Sequence, residues 1–330
     1  MFSRKSFSRI SLTRRVAMAA AVSLAVAGPA LAAWPERPVT MIVPWSAGGG
    51  TDATARIVAS LLEKELGKPV SVVNRTGGGG IVGHTEIANA KADGYTIGVV
   101  TTELSMYHWL GTSALSYDSY SLIALYNTDP QGVHVRKDGP ATIKDLVGAI
   151  KAAPGKHKAS GANQGGAAHL SFVGLLNAIG LKAQDAPWVP TDGSAPSLQL
   201  LTSKAIDIVT TTMPEAQTMV DAGEVKTLAL MRPERDPAFP DVPTVKETLG
   251  VDWSLGAWRG VAGPKGMPEE VVETLSKAMA KVVKDPEFVK FMDARKFGIE
   301  YAGGPDFANY LKRMDERFGE AMKAAGLARQ

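Results

Sequence analysis

Cysteine is absent from the 330 residues of the chain. Its absence excludes a disulfide framework, a thiol nucleophile and a thiolate metal site. The few histidines are scattered, without the i, i+4 spacing of a zinc-binding helix and without a carboxylate partner in register. They are His84, His108, His134, His157 and His169. We therefore predict no metal, no cofactor and no catalytic constellation.

An apolar run long enough to span a bilayer is also missing from the N-terminus, where residues 16–27 form a run of only 12. This run follows several basic residues and precedes Ala30-Leu31-Ala32, a small-residue cleavage motif. The arrangement predicts that residues 1–32 are a signal peptide and that the mature protein, starting at Ala33, is periplasmic. The Arg14-Arg15 pair leaves two export routes open, the twin-arginine route and ordinary secretion.

An excess of positive charge is absent once this leader is removed. The full chain has 36 basic and 33 acidic residues, and the leader holds five of the basic residues and none of the acidic ones. The mature chain therefore has 31 basic against 33 acidic residues, a formal charge of −2. A nearly neutral chain gives no electrostatic reason to expect nucleic acid or anionic lipid as a partner.

Two glycine-rich turns, each after an apolar run, are the most informative feature present. The sequence VTMIVPWSAGGGTDATAR occupies residues 39–56, and VSVVNRTGGGGIVG occupies residues 70–83. A strand that leads through glycines into a helix presents backbone N–H groups at the positive end of the helix dipole, which suits an anion. The turns predict a carboxylate or phosphate pocket. Asp52 is predicted to cap the first helical turn rather than to contact a ligand.

Short apolar runs alternate with helical patterns over most of the chain, which favours a mainly parallel α/β architecture. The length suits about two domains, yet no flexible linker separates two halves. We therefore expect extended strands to cross between the lobes, at Gln131–Val135 and at Ser254–Trp258. The predicted strands are residues 39–43, 70–73, 95–101, 132–135, 157–160, 186–189, 206–210, 225–230 and 255–261.

Several polar residues and one proline mark predicted helix starts. Thr51 is predicted to cap the helix that follows the first glycine turn, and Thr142 and Asp145 have the spacing of a capping box. Pro214 is well placed as the first residue of a helix. Ser194 lacks the Gly-x-Ser-x-Gly pattern of a hydrolase nucleophile, so we interpret it as a helix cap.

One motif supports an enzyme instead. The pattern Gly78-x-Gly80-x-x-Gly83 follows a predicted strand, and Glu103 comes roughly 20 residues later, as in a dinucleotide-binding βαβ unit. However, the first strand-to-helix turn of this chain is a different one, and an exported protein meets little free NAD. An exported NAD-dependent oxidoreductase is therefore the alternative and not the main prediction.

Six blocks of the sequence resemble one known family in their order and spacing. They are VTMIVPWSAGGGTD, VSVVNRTGGGG, ADGYTIGVVTT, TIKDLVGAIKAAPGK, VPTDGSAPSLQLL and FPDVPTVKE. The blocks are similar to those of the Bug family, the extracytoplasmic solute receptors of tripartite tricarboxylate transporters. The resemblance extends from about Trp34 to the C-terminus.

The resemblance implies a type II periplasmic-binding-protein fold, in which two α/β lobes joined by two crossing strands close on a small organic carboxylate. It implies lobe 1 at residues 33–132 plus 254–330 and lobe 2 at residues 133–253. It also implies a monomeric receptor, not an enzyme, that delivers its ligand to large and small integral membrane subunits. A ligand-sensing module for a signalling partner is a second alternative.

In this family, backbone amides and hydroxyls at the strand ends chiefly hold the carboxylate of the ligand. Trp45 and Trp188 are expected to form walls of the pocket. Carried over to this sequence, the implied ligand-binding residues are Trp45, Ser46, Ala47, Gly48, Gly49, Gly78, Gly79, Thr101, Thr102 and Glu103 from one lobe, and Asn163, Gln164, Gly165, His169, Thr191, Asp192, Thr211 and Thr212 from the other.

Three positions depart from the family's pattern. Ser46-Ala47 replaces a common Pro-Pro, Thr191-Asp192 replaces an aromatic-plus-basic pair, and Glu103 stands where small residues are frequent. Two acids beside an anion pocket cost about 1 to 4 kcal/mol per pair at surface-like dielectric constants. The departures therefore disfavour a tricarboxylate and leave a dicarboxylate, an amino-bearing acid or an aromatic acid open. Arg259 either adds a charged contact or bridges secondary structure.

Overall fold

A computed structural model describes residues 34–45, 47–191, 193–324 and 326–329. The predicted signal peptide therefore lies outside the described residues, as do Ser46 and Asp192. The strands and helices described below all belong to one compact unit that starts at Arg37.

The strands of the described residues follow the order expected for an α/β protein, with helices between most of them. The strands are β1 (Val39–Val43), β2 (Val70–Asn74), β3 (Thr96–Thr101), β4 (Tyr120–Arg136), β5 (Ala159–Ser160), β6 (Ile208–Thr212), β7 (Val225–Leu230), β8 (Gly256–Pro264) and β9 (Ala302–Gly303).

The helices include several short ones, and 3₁₀ turns occur at Gly78–Gly80, Thr102–Ser105, Tyr117–Ser119 and Ala183–Asp185. The α-helices are α1 (Gly50–Leu66), α2 (Ile81–Ala88), α3 (Tyr107–Leu110), α4 (Ile143–Ala152), α5 (Ala167–Ala178), α6 (Ser194–Thr202), α7 (Met213–Asp221), α8 (Val245–Leu249), α9 (Glu269–Val282), α10 (Pro286–Ala294) and α11 (Gly304–Ala324). Within the described ranges, none of the helices has the length and apolar character that crossing a bilayer requires.

The first lobe is built on strands in the order β2, β1, β3, β8, β4, with β9 also paired to β4. β1 runs parallel to β2 and β3, and Val39 lies opposite Val70. β8 runs antiparallel to both β3 and β4. The ends of β1 and β3 therefore lie at the same edge of the sheet.

The second lobe is built on β6, which pairs with β5 and β4, and on β7, which pairs with β4. β4 belongs to both sheets. Its last pair with β8 is Pro130 with Gly256, and its first pair with β6 is Gln131 with Thr212. The two lobes are thus joined through continuous extended backbone, without a linker.

The sheets are mixed rather than mainly parallel, because β4 and β8 run in opposite directions. β1 and β7 have the bounds that the sequence predicts, whereas the predicted strand at residues 186–189 is wrong. That segment contributes only an isolated bridge between Ala159 and Trp188. The first half of β4, from Tyr120 to Pro130, was not predicted.

Each lobe has its own apolar core. In the first lobe Ile42, Val100, Leu125, Trp258 and Phe307 are buried together with further apolar side chains. The core of the second lobe includes Val133, Ile150, Phe172, Ile208 and Ala229. Each core packs against its own sheet, and β4 contributes to both, with Leu125 in the first core and Val133 in the second.

A third apolar cluster connects the C-terminal helix with the second lobe. Phe318 and Met322 of α11 pack with Leu170 of α5, together with Met106 and Leu255. These five side chains are at most 2% exposed. The C-terminal helix therefore contributes to packing on both sides of the crossing strands.

Candidate ligand-binding site

A cavity of about 320 Å³ lies beside the point at which β4 changes partners, and it is lined by residues of both lobes. Its size is at the small end of the range of about 300 to 1,000 Å³ for ligand pockets. The lining residues are Trp45, Gly49, Gly50, Thr51, Thr101, Thr102, Glu103, Ala257, Trp258 and Arg259 on one side, and Gln131, Gly161, Ala162, Asn163, Ala167, Ala168, Gly193, Ser194, Thr211 and Glu215 on the other.

Four helices begin at the wall of this cavity. Within the described residues, α1, α5 and α6 begin after Gly49, Gly166 and Gly193 without a side chain that caps their first turns. N–H groups at a helix start lack intrahelical acceptors and carry the positive end of the helix dipole. Three such helix starts around one cavity provide donors for an anion. The fourth helix, α7, is capped by Thr212 and Glu215.

The prediction that Thr51 and Ser194 cap helices is wrong. α1 begins at Gly50, so Thr51 lies inside the helix, and its hydroxyl accepts a hydrogen bond from Nε of Arg259 at 3.0 Å. Ser194 is the first residue of α6 and follows Gly193. Both hydroxyl side chains are therefore part of the cavity wall.

Asp52 holds the first glycine turn in place. Its Oδ2 accepts from the backbone N–H of Gly48 at 2.8 Å and from Nε of Arg56 at 3.0 Å, and its Oδ1 accepts from Asn74 at 2.9 Å. Burial favours the neutral acid, but these donors and the charge of Arg56 hold the pKa of Asp52 below its ordinary value. The prediction that Asp52 caps the first helical turn is therefore wrong, because its carboxylate binds the turn before the helix, Arg56 and Asn74 instead.

A buried histidine fixes the second glycine turn. His84 Nε2 accepts from the backbone N–H of Thr101 at 3.2 Å, so the proton is on Nδ1, which lies 3.0 Å from the carbonyl oxygen of Gly80. Tyr107 donates to the carbonyl oxygen of Gly79 at 2.8 Å. Burial lowers the pKa of His84 to about 3, so the ring is neutral. The turn is therefore anchored to the end of β3.

Close packing accounts for one glycine of the dinucleotide-like pattern. A Cβ on Gly83 would lie 2.6 Å from the carbonyl oxygen of Arg75 and 2.6 Å from Cα of Pro44. Only glycine allows α2 to approach the preceding strands this closely. Gly78 and Gly79 precede this helix and do not line the cavity among the described residues.

Arg259 of β8 is a buried cation beside the cavity. Its Nη1 contacts Oδ2 of Asp129 at 2.5 Å and also donates to Asn127. Both partners in the ion pair are almost fully buried. Burial opposes the charge of Arg259, but the negative charge of Asp129 raises the pKa of the guanidinium above its ordinary value. A Cβ on Gly50 would lie 3.2 Å from Nη2, so the glycine leaves room for this group.

Among the described residues, two carboxylates face the cavity from opposite lobes. Glu103 accepts from the hydroxyl of Thr101 at 2.5 Å, and Glu215 accepts from the hydroxyl of Thr211 at 2.5 Å. Burial raises the pKa of Glu103, and the negative charge of Glu215 adds to this effect. Burial also opposes the charge of Glu215, but the hydroxyl donors and Arg259 hold its pKa below the ordinary value. The two acids thus differ in their readiness to ionise.

Gln131 lies at the crossing point of β4 and contributes a further acceptor. Its side chain is 3% exposed and lines the cavity. Its Oε1 is buried and has no hydrogen-bond partner among the described residues. A buried carbonyl oxygen without a donor costs free energy, about 1 to 3 kcal/mol. A ligand that donates a hydrogen bond here would recover part of that cost.

The cavity brings together some of the residues implied by the sequence. Ser46 and Asp192 lie outside the described residues, and Gln164 and His169 line a neighbouring pocket together with Trp188. Those that line the cavity are Trp45, Gly49, Thr101, Thr102, Glu103, Asn163 and Thr211. Described residues that do not line it are Ala47, Gly48, Gly78, Gly79, Gln164, Gly165, His169, Thr191 and Thr212.

Glu215, Gln131 and the ion pair of Arg259 with Asp129 were not predicted from the sequence as parts of the site. Glu215 follows Thr212 with capping-box spacing and comes just after Pro214, so its position at a helix start was detectable. The helix begins one residue before Pro214, at Met213. Asp129 and Gln131 gave no such signal, because their roles depend on β4 pairing with both sheets.

A family model described as the tripartite tricarboxylate transporter family receptor matches residues 54–327. The solved structure of the periplasmic binding protein BugD is 31% identical, with a TM-score of 0.78, and the match covers 90% of this chain and all of that one. Two structures from Rhodopseudomonas palustris are each 26% identical. One is MatC with bound malate, with a TM-score of 0.76 and coverage of 87% of this chain and 99% of that one. The other holds adipate, with a TM-score of 0.80 and coverage of 89% and 99%.

These matches confirm the predicted fold, the type II periplasmic-binding-protein fold with two α/β lobes joined by crossing strands. They span nearly the whole length of the solved structures, so the cavity and both lobes fall within the shared architecture.

Proposed function

Because the chain belongs to the receptor family of tripartite tricarboxylate transporters, we propose that it captures a small organic carboxylate in its cavity and delivers it to a membrane transporter. The observation that carries this proposal is the convergence of three helix starts without capping side chains on one cavity. The ligand's carboxylate would take the place of the missing caps, because it accepts hydrogen bonds and is stabilised by the helix dipoles.

Known ligands of related structures support the class of ligand. MatC holds malate, and the second structure from Rhodopseudomonas palustris holds adipate. Both ligands are small dicarboxylates. The guanidinium of Arg259 adds a positive charge near the start of α1. Trp45 lines the same cavity and offers apolar surface for a carbon chain.

The proposal includes an exported, periplasmic protein from which residues 1–32 are removed. Lobe 1 would comprise residues 33–132 and 254–330, and lobe 2 residues 133–253. Closure of the lobes would be favoured by contacts that the ligand makes only in the closed state. The closed monomer would then dock on the large and small integral membrane subunits. The site residues implied by the sequence remain predictions within this proposal.

Isothermal titration calorimetry of the mature chain, residues 33–330, tests the proposal. The ligands are C4 to C6 dicarboxylates, acidic amino acids and aromatic acids, with NAD as the probe for an oxidoreductase. We expect at least one carboxylate to bind with a dissociation constant well below 1 mM and NAD not to bind. No heat of binding with any carboxylate at millimolar concentration would contradict the proposal.

A cavity-filling substitution provides the matched variant. Ala167 is the first residue of α5 and lines the cavity, so Ala167→Leu should abolish carboxylate binding. Ala152 is an exposed residue at the end of α4, and Ala152→Leu should leave binding unchanged. Equal binding by both variants would place the ligand elsewhere.

A further inference from the structure

Three described side chains present hydrogen-bond acceptors to the cavity. Glu103 and Glu215 present carboxylates from opposite lobes. Oε2 of Glu103 accepts from Thr101, Oε2 of Glu215 accepts from Thr211 and Thr212, and Ser194 is a further side-chain partner of Glu215. A carboxylate has acceptor sites on both oxygens, so each can still accept from a ligand. Gln131 adds its buried Oε1, which lacks a partner. These three groups call for a ligand that donates several hydrogen bonds.

The charges at the cavity lead to the same requirement. Among the described lining residues Arg259 is the single cation, and Asp129 directly behind it balances its charge at 2.5 Å. Glu103 and Glu215 have no ion-pair partner among the described residues, and the Arg259 charge, which acts to lower the pKa of both from a distance, is already paired with Asp129. A ligand that brought only carboxylates would add negative charge to a wall that already has an excess of it, and like charges in a partly buried site repel strongly.

We propose that the ligand carries a protonated amino group, bound between Glu103 of one lobe and Glu215 of the other, with Gln131 as a third acceptor. This inference rests on the proposed function and specifies its ligand as an amino-bearing carboxylic acid. An ammonium group has three N–H donors, which matches the three acceptors. Its carboxylate is bound at the helix starts, so a zwitterion satisfies both ends of the cavity.

The arrangement also couples ligand charge to lobe closure. Glu103 follows β3 in the first sheet, and Glu215 is the third residue of α7 after β6 in the second. Closing the lobes brings these two carboxylates toward each other, which is unfavourable while both are ionised. An ammonium group between them turns this repulsion into attraction, so it stabilises the closed state more than the open one.

Titration calorimetry with matched ligand pairs tests the inference. The pairs are aspartate with succinate, glutamate with glutarate, and 5-aminopentanoate with pentanoate, so the members of each pair differ by one amino group. We expect the amino-bearing member to bind at least tenfold more tightly in the pair that fits the cavity. Equal or tighter binding of the member without the amino group overturns the inference and leaves the proposed function intact. If no carboxylate of any pair binds, both this inference and the proposed function are overturned.

Variants then assign the effect to the acidic pair. Glu103→Gln and Glu215→Gln keep an acceptor oxygen and remove the negative charge, and each should reduce the preference for the amino-bearing ligand at least fivefold. Glu247→Gln is the control, since Glu247 occupies the same capping-box position in α8, away from the cavity. An unchanged preference in both variants overturns the assignment. If Glu215→Gln fails to fold, the ligand preference of Glu103→Gln alone tests the assignment.

Discussion

Replacing Arg259 with methionine tests the buried ion pair at the crossing strands. The substitution preserves an apolar stem of similar length but removes the guanidinium that contacts Asp129, Asn127 and Thr51. Asp129 is 1% exposed and would keep only two neutral donors, the backbone N–H of Gly298 at 2.9 Å and Asn127 at 3.1 Å. The carboxylate would then be a buried charge without a counterion.

The expected loss is large because one partner of a buried pair is removed. Breaking such a pair costs about 3 to 5 kcal/mol, since the remaining charge stays desolvated. We therefore expect Arg259→Met to lower the free energy of unfolding by about 3 kcal/mol or more. Asp129→Asn added to this variant removes the stranded charge and keeps an acceptor for Gly298. The double variant should regain at least about 1 kcal/mol relative to Arg259→Met.

Urea denaturation followed by tryptophan fluorescence and circular dichroism measures these free energies. Lys277→Met is the control, because both partners of the Lys277–Glu273 ion pair are exposed. This variant should have the same free energy of unfolding as the unmodified protein. A loss of less than about 1 kcal/mol for Arg259→Met would refute the reasoning, since it would equal the effect of a surface pair. A double variant no more stable than Arg259→Met would refute the stranded-charge explanation.

Two further predictions concern stability alone. Burial lowers the pKa of His84 to about 3 and that of His134 to about 4. Protons therefore bind the unfolded chain first as the pH falls below 6.5. Between pH 6 and pH 5 each of these two histidines should lower the free energy of unfolding by about 1.2 kcal/mol in denaturation experiments; a flat profile would contradict this. Gly174→Ala should lower this free energy by about 1 to 3 kcal/mol, because the new Cβ would lie 2.0 Å from the Trp253 ring. Gly148→Ala, at an open helical position, should raise it by about 0.5 to 1 kcal/mol, and the same sign for both variants would contradict the packing argument.

Local patterns were enough to predict the frame around the cavity. The alternation of apolar residues gave β1 and β7 with their observed bounds, because these strands are short and end at clear turn signals. The glycine turn at residues 47–50 was predicted to precede a helix, and α1 begins at Gly50. The capping box at Thr142 and Asp145 is confirmed. These features depend on neighbours in the chain, which a sequence displays directly.

Features that depend on distant pairing were harder to predict. The first half of β4 contains Asn127, Asp129 and Pro130, which are all unfavourable in an isolated strand. They are accommodated because Arg259 from β8 binds the two polar side chains, and because Pro130 stands where the strand changes partners. The role of Glu215 in the cavity likewise depends on the position of α7 relative to Glu103.

The sharing of β4 between the sheets has a consequence for how the protein can be divided. Neither half retains a complete set of strand partners when the other is excised, because the same backbone provides an interior strand to both. A fragment that ends at Arg136 would expose the unpaired amides and carbonyls of residues 131–136. Such an exposed strand edge is prone to aggregation. A chimera made from the lobes of two related proteins would therefore fold only if β4 and β8 came from the same parent.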